Sequence, residues 1–481
     1  MLWSQQQLSA GLGRLCDIDG ASGFVIDSRL AKKHNIFLPL KGDRVDGHQY
    51  IESAIKNGAL ASFCLQDKIK NYPALIQKKL LPSHDVMADI KKLALYRRDE
   101  IKKNHGKVLA ITGSVGKTSV KEMVGLVLEK SHQPYYKSPA NQNNTLGVPL
   151  CLLNTPHDIV AGVYEAGMNH SGELLDIGKV LRPDIVIITN IRESHIGNLG
   201  SLAAIASAKA ELLCNMMPQA VAILEKNKHD DFFDMLKTTF KKHQPHGRVV
   251  SFGIEKTCDI YPISIKQDYA VQTINAKFFQ KTISYHLNLV GEHYAMNSLA
   301  ALAGLHFLGM DDIYQNAMID YQPMKGRGDR HFLSIKGKNI MVIDESYNAA
   351  PSSMKKNLKT LNDTTEPRLG ASPKKYCKIA ILGDMKELGD DEITYHRQVI
   401  ETAMDLPFIT HILLLGDMMG RALQTIDVTK RKKIKLFDTI ESINHWLDSQ
   451  IDHGDMIMVK ASRAMGLEKI IEHLQDSAKG D

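Results

Sequence analysis

Residues 107–123 read KVLAITGSVGKTSVKEM, and three local instructions follow one another in that stretch. The apolar, β-branched run Val108 to Ile111 predicts a buried strand. Gly113-Ser114-Val115-Gly116-Lys117-Thr118-Ser119 predicts a tight turn, and the residues after it suit a helix. Strand, Gly-rich turn and helix N-terminus form the layout of a phosphate-binding loop. Gly113 and Gly116 let backbone amides curl around an anion without a Cβ clash. The positive end of the helix dipole points at the same anion. Lys117 supplies a compact charge for the β- and γ-phosphates, and the Thr118 hydroxyl can ligate Mg²⁺. The usual spacing would place a further glycine at Ile111, so the loop takes the tighter T-G-x-x-G-K-T form. A chance match in a strand-to-helix turn is the plain alternative. The expectation is a site for a nucleoside triphosphate.

Outward from this loop the chain falls into three blocks. At 481 residues it exceeds what one core can hold. Residues 1–105 mix short β-like runs (GFVID, NIFLPL, ASFCL) with a helical pattern, and 84–103 predict a connecting helix. Residues 106–321 alternate strand and helix candidates, which indicates βαβ units and a parallel sheet. Residues 322–481 repeat that pattern: NIMVIDE, KIAILGDM, HILLLGDM and DMIMVKAS read as buried strands. The two LGDM strings are read as parallel strands of one sheet. The segment 362–376 is polar, contains Pro and Gly, and predicts a surface loop. The expected class is α/β in three domains: a small mixed N-terminal one, a central P-loop ATPase domain with a mostly parallel sheet, and a Rossmann-like C-terminal domain.

Composition narrows the class. With 43% hydrophobic and 24% charged residues the chain fits a soluble globular protein. The net charge of +6 is small for this length, and the lysine cluster at 430–435 reads as a solvated face, so no nucleic-acid partner is expected. Six scattered cysteines without C-x-x-C spacing argue against a disulfide framework or a cysteine metal cluster. The first residues lack the charge and apolar core of a signal peptide, and no apolar run is long enough to cross a bilayer. A cytoplasmic location without membrane insertion is expected.

Other candidates lie where strands end. Glu165 follows a strand in VYEAGMNHSGEL and could reach a metal held by ATP phosphates, or could be a solvated loop acid. His195 stands in the loop after DIVIITNI; a lone loop histidine is more often structural than a ligand. Lys209 lies on a helix among small apolar residues, where a snorkelling lysine is the default reading.

Taken together, T-G-S-V-G-K-T, N-x-N-N-x-x-G-V-P-L, E-x-G-M-N-x-x-G-E-L and T-N-I-x-x-x-H resemble the ATPase domain of the Mur ligases of peptidoglycan synthesis, in order. DESYNAAPSSM, ILGDMKELGD followed by His396, and VKASRAMGLEKII are similar to the branch that adds D-alanyl-D-alanine. The stretch DSRLAKKHNIFLPLKGDRVDGHQYIESAIKNGA resembles that family's UDP-binding domain. The resemblance spans essentially the whole chain. It implies ATP-dependent addition of D-alanyl-D-alanine to UDP-N-acetylmuramoyl-tripeptide through an acyl phosphate; separately, a monomer is expected. It implies catalytic roles for Lys117, His195 and Lys209, with Thr118, Glu165, His195 and Lys209 around Mg²⁺. Lys209 would be carbamylated, which burial favours by lowering the lysine pKa. Nucleotide contacts would extend to Asn297, Arg330 and Asp344. Substrate contacts would come from Asp27, Ser28, Arg29, Asn143, Asn144, Tyr347, Asn348, Lys460 and Arg463.

The chain departs from the family in places. Tyr294 replaces an Asn near the adenine, Ala350 an Asn of Y-N-A-N-P, and Ala461 a Gly of K-G-S-R. The nucleotide arginine could be Arg327 or Arg330, and the distance to Asp344 favours Arg330. The alternative function is another amide ligase of this fold, either the diamino-acid-adding type or a folylpolyglutamate synthase. The former would carry D-Y-A-H-T-P where this chain has DESYNAAP. A P-loop ATPase acting as a mechanical or signalling switch would lack the flanking ligand-binding blocks.

Overall fold

A computed structural model describes residues 1–42, 45–139, 142–228, 232–268, 271–311, 317–365 and 376–479. The expected loop at 362–376 falls mostly outside these residues, as do Asp43, Arg44 and Asn141 of the family-like strings. Three sheets form among the described residues, and the fold is α/β with mostly parallel strands.

The first sheet is wholly parallel: β1 (Gly23–Val25), β2 (Asn35–Phe37), β3 (Ala61–Leu65) and β4 (Leu80–Ser83), in that order. The predicted connecting helix runs Val86–Lys103, with the Asp85 carboxylate accepting from the Met87 and Ala88 amides as N-cap. It is a packed strut, not a free linker. It lies against the helices Gln5–Leu12, Gly147–Leu153 and Glu173–Leu181. Beside it, Trp3 is fully buried, donates from Nε1 to the Leu153 carbonyl at 2.7 Å, and carries the Arg97 guanidinium 3.9 Å above its ring.

The central sheet holds β5 (Lys107–Thr112), β6 (Tyr135–Lys137), β7 (Ala161–Glu165), β8 (Ile185–Ile188), β9 (Val221–Glu225), β10 (Arg248–Phe252), β11 (Ile260–Asp268), β12 (Val271–Phe278) and β13 (Lys281–Leu287). Their order is β13-β12-β11-β10-β9-β8-β5-β7-β6. The strands from β6 to β11 are parallel, and β12 and β13 extend the sheet as antiparallel meanders. β5 has β7 on one side and β8 on the other, so successive connections leave it in opposite directions. Such a reversal opens a crevice at the carboxyl ends of the strands.

The third sheet comprises β14 (Asp329–Ile335), β15 (Lys338–Glu345), β16 (Lys378–Gly383), β17 (His411–Leu415), β18 (Ile434–Phe437) and β19 (Met456–Lys460), ordered β14-β15-β19-β16-β17-β18. Only the pairing of β14 with β15 is antiparallel. The LGDM strings end the neighbouring parallel strands β16 and β17, as expected. Asp384 of the first accepts the Met419 amide at the start of the helix that follows the second.

Replacing Trp3 by Ala removes a buried indole, its hydrogen bond and the platform under Arg97. A loss of about 3–5 kcal/mol is expected, read as a lower urea midpoint, with exposed Leu15→Ala as the unaffected control.

Candidate active site

The loop after β5 has the conformation its residue types predict. Gly113 (φ +144°) and Gly116 (φ +87°) adopt backbone angles that L side chains rarely take. A Cβ at Gly113 would stand 1.9 Å from Thr189 Oγ1, and one at Gly116 would stand 2.5 Å from Asn297 Oδ1. The loop is stapled to the end of β8. The Val115 amide donates to Asn190 Oδ1 at 3.0 Å, Thr189 Oγ1 donates to the Val115 carbonyl at 2.6 Å, and Ser114 Oγ bonds both backbone groups of Arg192. Lys117 Nζ folds back on the Gly113 and Ser114 carbonyls at 2.7 and 3.1 Å, across the hollow that the amides enclose. Thr118 and Ser119 begin the helix Lys117–Lys130.

Glu165 is the last residue of β7, opposite Ile111 of β5, and is buried. It accepts from Thr118 Oγ1 and from Asn143 Nδ2, both at 2.9 Å. Burial opposes its charge, but Lys117, the Asn143 amide, Lys121 and Thr118 outweigh that and hold the carboxyl below its ordinary value. A hydroxyl and an ionised carboxylate sharing one hydrogen bond make a hard-oxygen pair suited to Mg²⁺. Among the described residues no three His, Cys, Asp or Glu side chains form a metal cage. A cation here would therefore need further oxygens, as Mg²⁺ on nucleotide phosphates does.

His195, in a left-handed backbone turn, places Nδ1 2.5 Å from Glu387 Oε2 of the loop after β16. Nearby the Gly197 amide donates to the Glu387 carbonyl at 2.9 Å, so the two loops are joined. Burial first, then Lys117, lowers the His195 pKa despite Glu387, which favours a neutral ring able to ligate. Lys209 is buried to 2% exposure, and burial followed by the Lys117 charge holds its amine well below the ordinary lysine value.

A cleft of about 460 Å³ brings most of the sequence-predicted residues together. Ser114 to Ser119, Asn143, Asn144, Glu165, His195, Lys209 and Asn297 line it from the central sheet, and Tyr347, Asn348 and Lys460 from the third. Gly113 belongs to the loop and presents its carbonyl to Lys117. Other residues lie elsewhere. Arg330 sits in β14 opposite Ile343 and lines a separate small cavity; Arg327, one turn earlier, lines the cleft and stacks 4.0 Å over the Tyr347 ring. Asp344 is fully buried and accepts from the Gly326 amide and the Ser346 hydroxyl, which makes it a brace for the loop carrying Arg327. Arg463 is exposed and paired with Glu468 at 3.2 Å, outside the cleft lining. Asp27, Ser28 and Arg29 form a capped turn on the first sheet, with Arg29 ion-paired to Asp27 at 2.7 Å, also outside it.

Residues 21–98, 111–305 and 331–463 match, in turn, the catalytic, middle and glutamate ligase domains of the Mur ligases. The UDP-N-acetylmuramoyl-tripeptide–D-alanyl-D-alanine ligase of Rickettsia prowazekii is 30% identical over 99% of this chain and 100% of its own length. The chain belongs to the Mur ligase family. The enzyme of the same name from Bacillus subtilis is 28% identical to this Mur ligase over 95% of the chain and 93% of its own length. The crystal structure of MurF from Acinetobacter baumannii superposes with a TM-score of 0.84 at 27% identity, covering 98% of this chain and 99% of that one.

Several cleft residues of this Mur ligase escaped the sequence reading. Thr189 and Asn190 staple the phosphate loop; their signal was the T-N at the head of T-N-I-x-x-x-H. Lys356 projects from the helix Pro351–Asp363 of the third sheet, and burial, then Arg192, lowers its pKa. Arg327 was visible only as one of two arginines. If the cleft-lining guanidinium meets the nucleotide, Arg327→Ala should raise the KM for ATP by roughly ten- to a hundredfold, the worth of a charged hydrogen bond. Arg330→Ala should leave it nearly unchanged in the same steady-state assay.

Proposed function

We propose that this Mur ligase adds D-alanyl-D-alanine to UDP-N-acetylmuramoyl-tripeptide at the cost of ATP, in cytoplasmic peptidoglycan synthesis and as a monomer. The observation that carries this reading is one cleft into which the phosphate loop of the central sheet and the ends of β15 and β19 of the third sheet both open. Full-length likeness to ligases named for that reaction supports the choice of substrates. Residues 1–105, on this reading, hold the UDP moiety through Asp27, Ser28 and Arg29; 106–321 hold ATP; and 322–481 hold the dipeptide. Among the described residues no helix is long and apolar enough to cross a membrane.

A carboxylate and an amine do not condense at neutral pH, because oxide is too poor a leaving group. The γ-phosphoryl group of ATP is transferred to the stem-peptide carboxylate, ADP leaves, and the dipeptide amine attacks the acyl phosphate to release phosphate. Such chemistry needs positioning and charge neutralisation more than a protein nucleophile. Lys117, released from the Gly113 and Ser114 carbonyls, is placed for the β- and γ-phosphates. Asn143, bonded to Glu165, and Asn144 border the path to the stem peptide. Lys460 and Asn348 face the dipeptide. Mg²⁺, held by Thr118, Glu165 and His195 with nucleotide oxygens, would neutralise phosphate charge.

Lys209 fits carbamylation. Its amine must lose a proton before the nitrogen can bond to CO₂, giving a carbamate and a second released proton, and burial beside Lys117 favours the neutral form. The resulting carboxylate would also offset the neighbouring charge of Lys117. Lowering the pH protonates the amine and drives off CO₂, so activity should fall on the acid side and added bicarbonate should move that limb to lower pH.

The primary experiment is ADP release with UDP-N-acetylmuramoyl-tripeptide, with and without D-alanyl-D-alanine; turnover indifferent to the dipeptide would defeat the assignment. Lys117→Ala should lose about 10²–10³ in rate or more, and a near-normal kcat would remove the loop from the mechanism. Lys209→Ala should be folded but nearly inactive, with partial recovery in millimolar formate or acetate. Lys209→Arg should stay inactive, because a guanidinium keeps its proton; full activity there would end the carbamate reading.

A further inference from the structure

Tyr294, where the family pattern has Asn, reaches toward the third sheet. It lies in the first turn of the helix Glu292–Leu308, is buried, and sets its hydroxyl 2.9 Å from Glu345 Oε1 and 3.1 Å from the Arg327 carbonyl. The facing backbone is shaped for it. Gly328 has φ +93°, and a Cβ there would stand 2.0 Å from the Tyr294 hydroxyl. Burial and Glu345 both push the phenol pKa well up, so the hydroxyl keeps its proton and donates to the carboxylate. The other oxygen, Glu345 Oε2, lies 3.5 Å from Lys460 Nζ, which donates at 2.9 Å to the Asn348 carbonyl. Glu345 and Lys460 are paired residues at the ends of adjacent strands β15 and β19. One turn beyond Tyr294 on the same helix, Asn297 packs against Gly116 of the phosphate loop. A single helical turn thus touches both the nucleotide loop and the dipeptide crevice.

We propose that Tyr294 is a positioning residue for the acceptor: its hydroxyl holds Glu345 Oε1, so that Glu345 engages Lys460 through one oxygen and leaves the ammonium presented to the dipeptide carboxylate. This rests on the proposed function. Without the hydroxyl, a carboxylate buried beside a lysine rotates to use both oxygens on it, and the ammonium is withdrawn from the incoming anion. A tyrosine that merely fills the joint between the two sheets would behave differently, because loosening that joint weakens ATP and dipeptide alike.

The test is a double-mutant cycle on the full-length enzyme, with KM for ATP and for D-alanyl-D-alanine measured separately and the thermal midpoint followed. Tyr294→Phe keeps the ring and should raise the dipeptide KM about tenfold, the size of one hydrogen bond to a charged group, while the ATP KM stays within about twofold. In a Glu345→Gln background the same change should add little, because the carboxylate it restrains is gone. Glu345→Asp, which draws the carboxylate back from the hydroxyl, should give the same dipeptide-selective rise and probes the coupling from the other partner. Parallel rises in both KM values, an unchanged dipeptide KM, or additive effects in the double variant would overturn the proposal. Wild-type turnover that ignores the dipeptide would instead overturn the substrate assignment, and this inference with it.

Discussion

Positive charge crowded into one buried cleft and only partly offset by carboxylates is the constraint around which this molecule is arranged. Lys117, Lys209, Lys356 and Lys460 crowd one cleft with Arg327, and burial lowers the pKa of each of the four lysines. Where carboxylates are present they are already engaged: Glu165 by Thr118 and Asn143, Glu345 by Tyr294 and Lys460. Desolvated cations are costly unless an anion joins them. On the proposed function the phosphates of ATP supply that anion, which is why the same cluster is both an unfavourable feature of the free protein and a favourable one of the liganded enzyme.

The sheets convert this constraint into geometry. β5 lies at the point where connections reverse direction, so the loop after it projects between the ends of β7 and β8. Glu165 ends one of those strands, and Thr189 and Asn190 follow the other. Three neighbouring strand ends thereby fix a phosphate loop, a metal-type carboxylate and the staples that hold the loop rigid. In the third sheet the neighbours β15 and β19 do the same for Glu345 and Lys460.

What could be read from the chain follows from where each element sits. Central parallel strands are buried on both faces and appear as continuous apolar runs, so β5, β7, β8, β15, β16, β17 and β19 were legible. The edge strand β18 was not, because Lys435 and Leu436 face solvent and the KRKKIK run conceals the strand. The helix Gln5–Leu12 was missed although Ser4 and Gln7 form a capping box, since eight residues carry too few apolar positions to show a period. Arg330 was favoured over Arg327 by distance along the chain to Asp344. Hairpin pairing defeats that measure: Asp329 lies directly across from Asp344, which leaves Arg330 beside Ile343 in the strand and Arg327 in the preceding turn, free to reach the cleft.

Among the described residues, side chains and loops at strand ends make polar contacts between the two larger sheets. His195 meets Glu387, the Gly197 amide meets the Glu387 carbonyl, and Tyr294 meets Glu345. Polar contacts of this kind have small net free energies, because water competes for every group when they part. Contacts of this kind can part at modest cost, and a ligand that bridges the cleft adds to them. His195, Tyr294 and Glu345 also line the cleft, so the joint between the sheets and the wall of the site are built from the same residues. On the proposed function that arrangement suits phosphoryl transfer: phosphate groups entering between the cationic walls offset their charge, and filling the cleft excludes water.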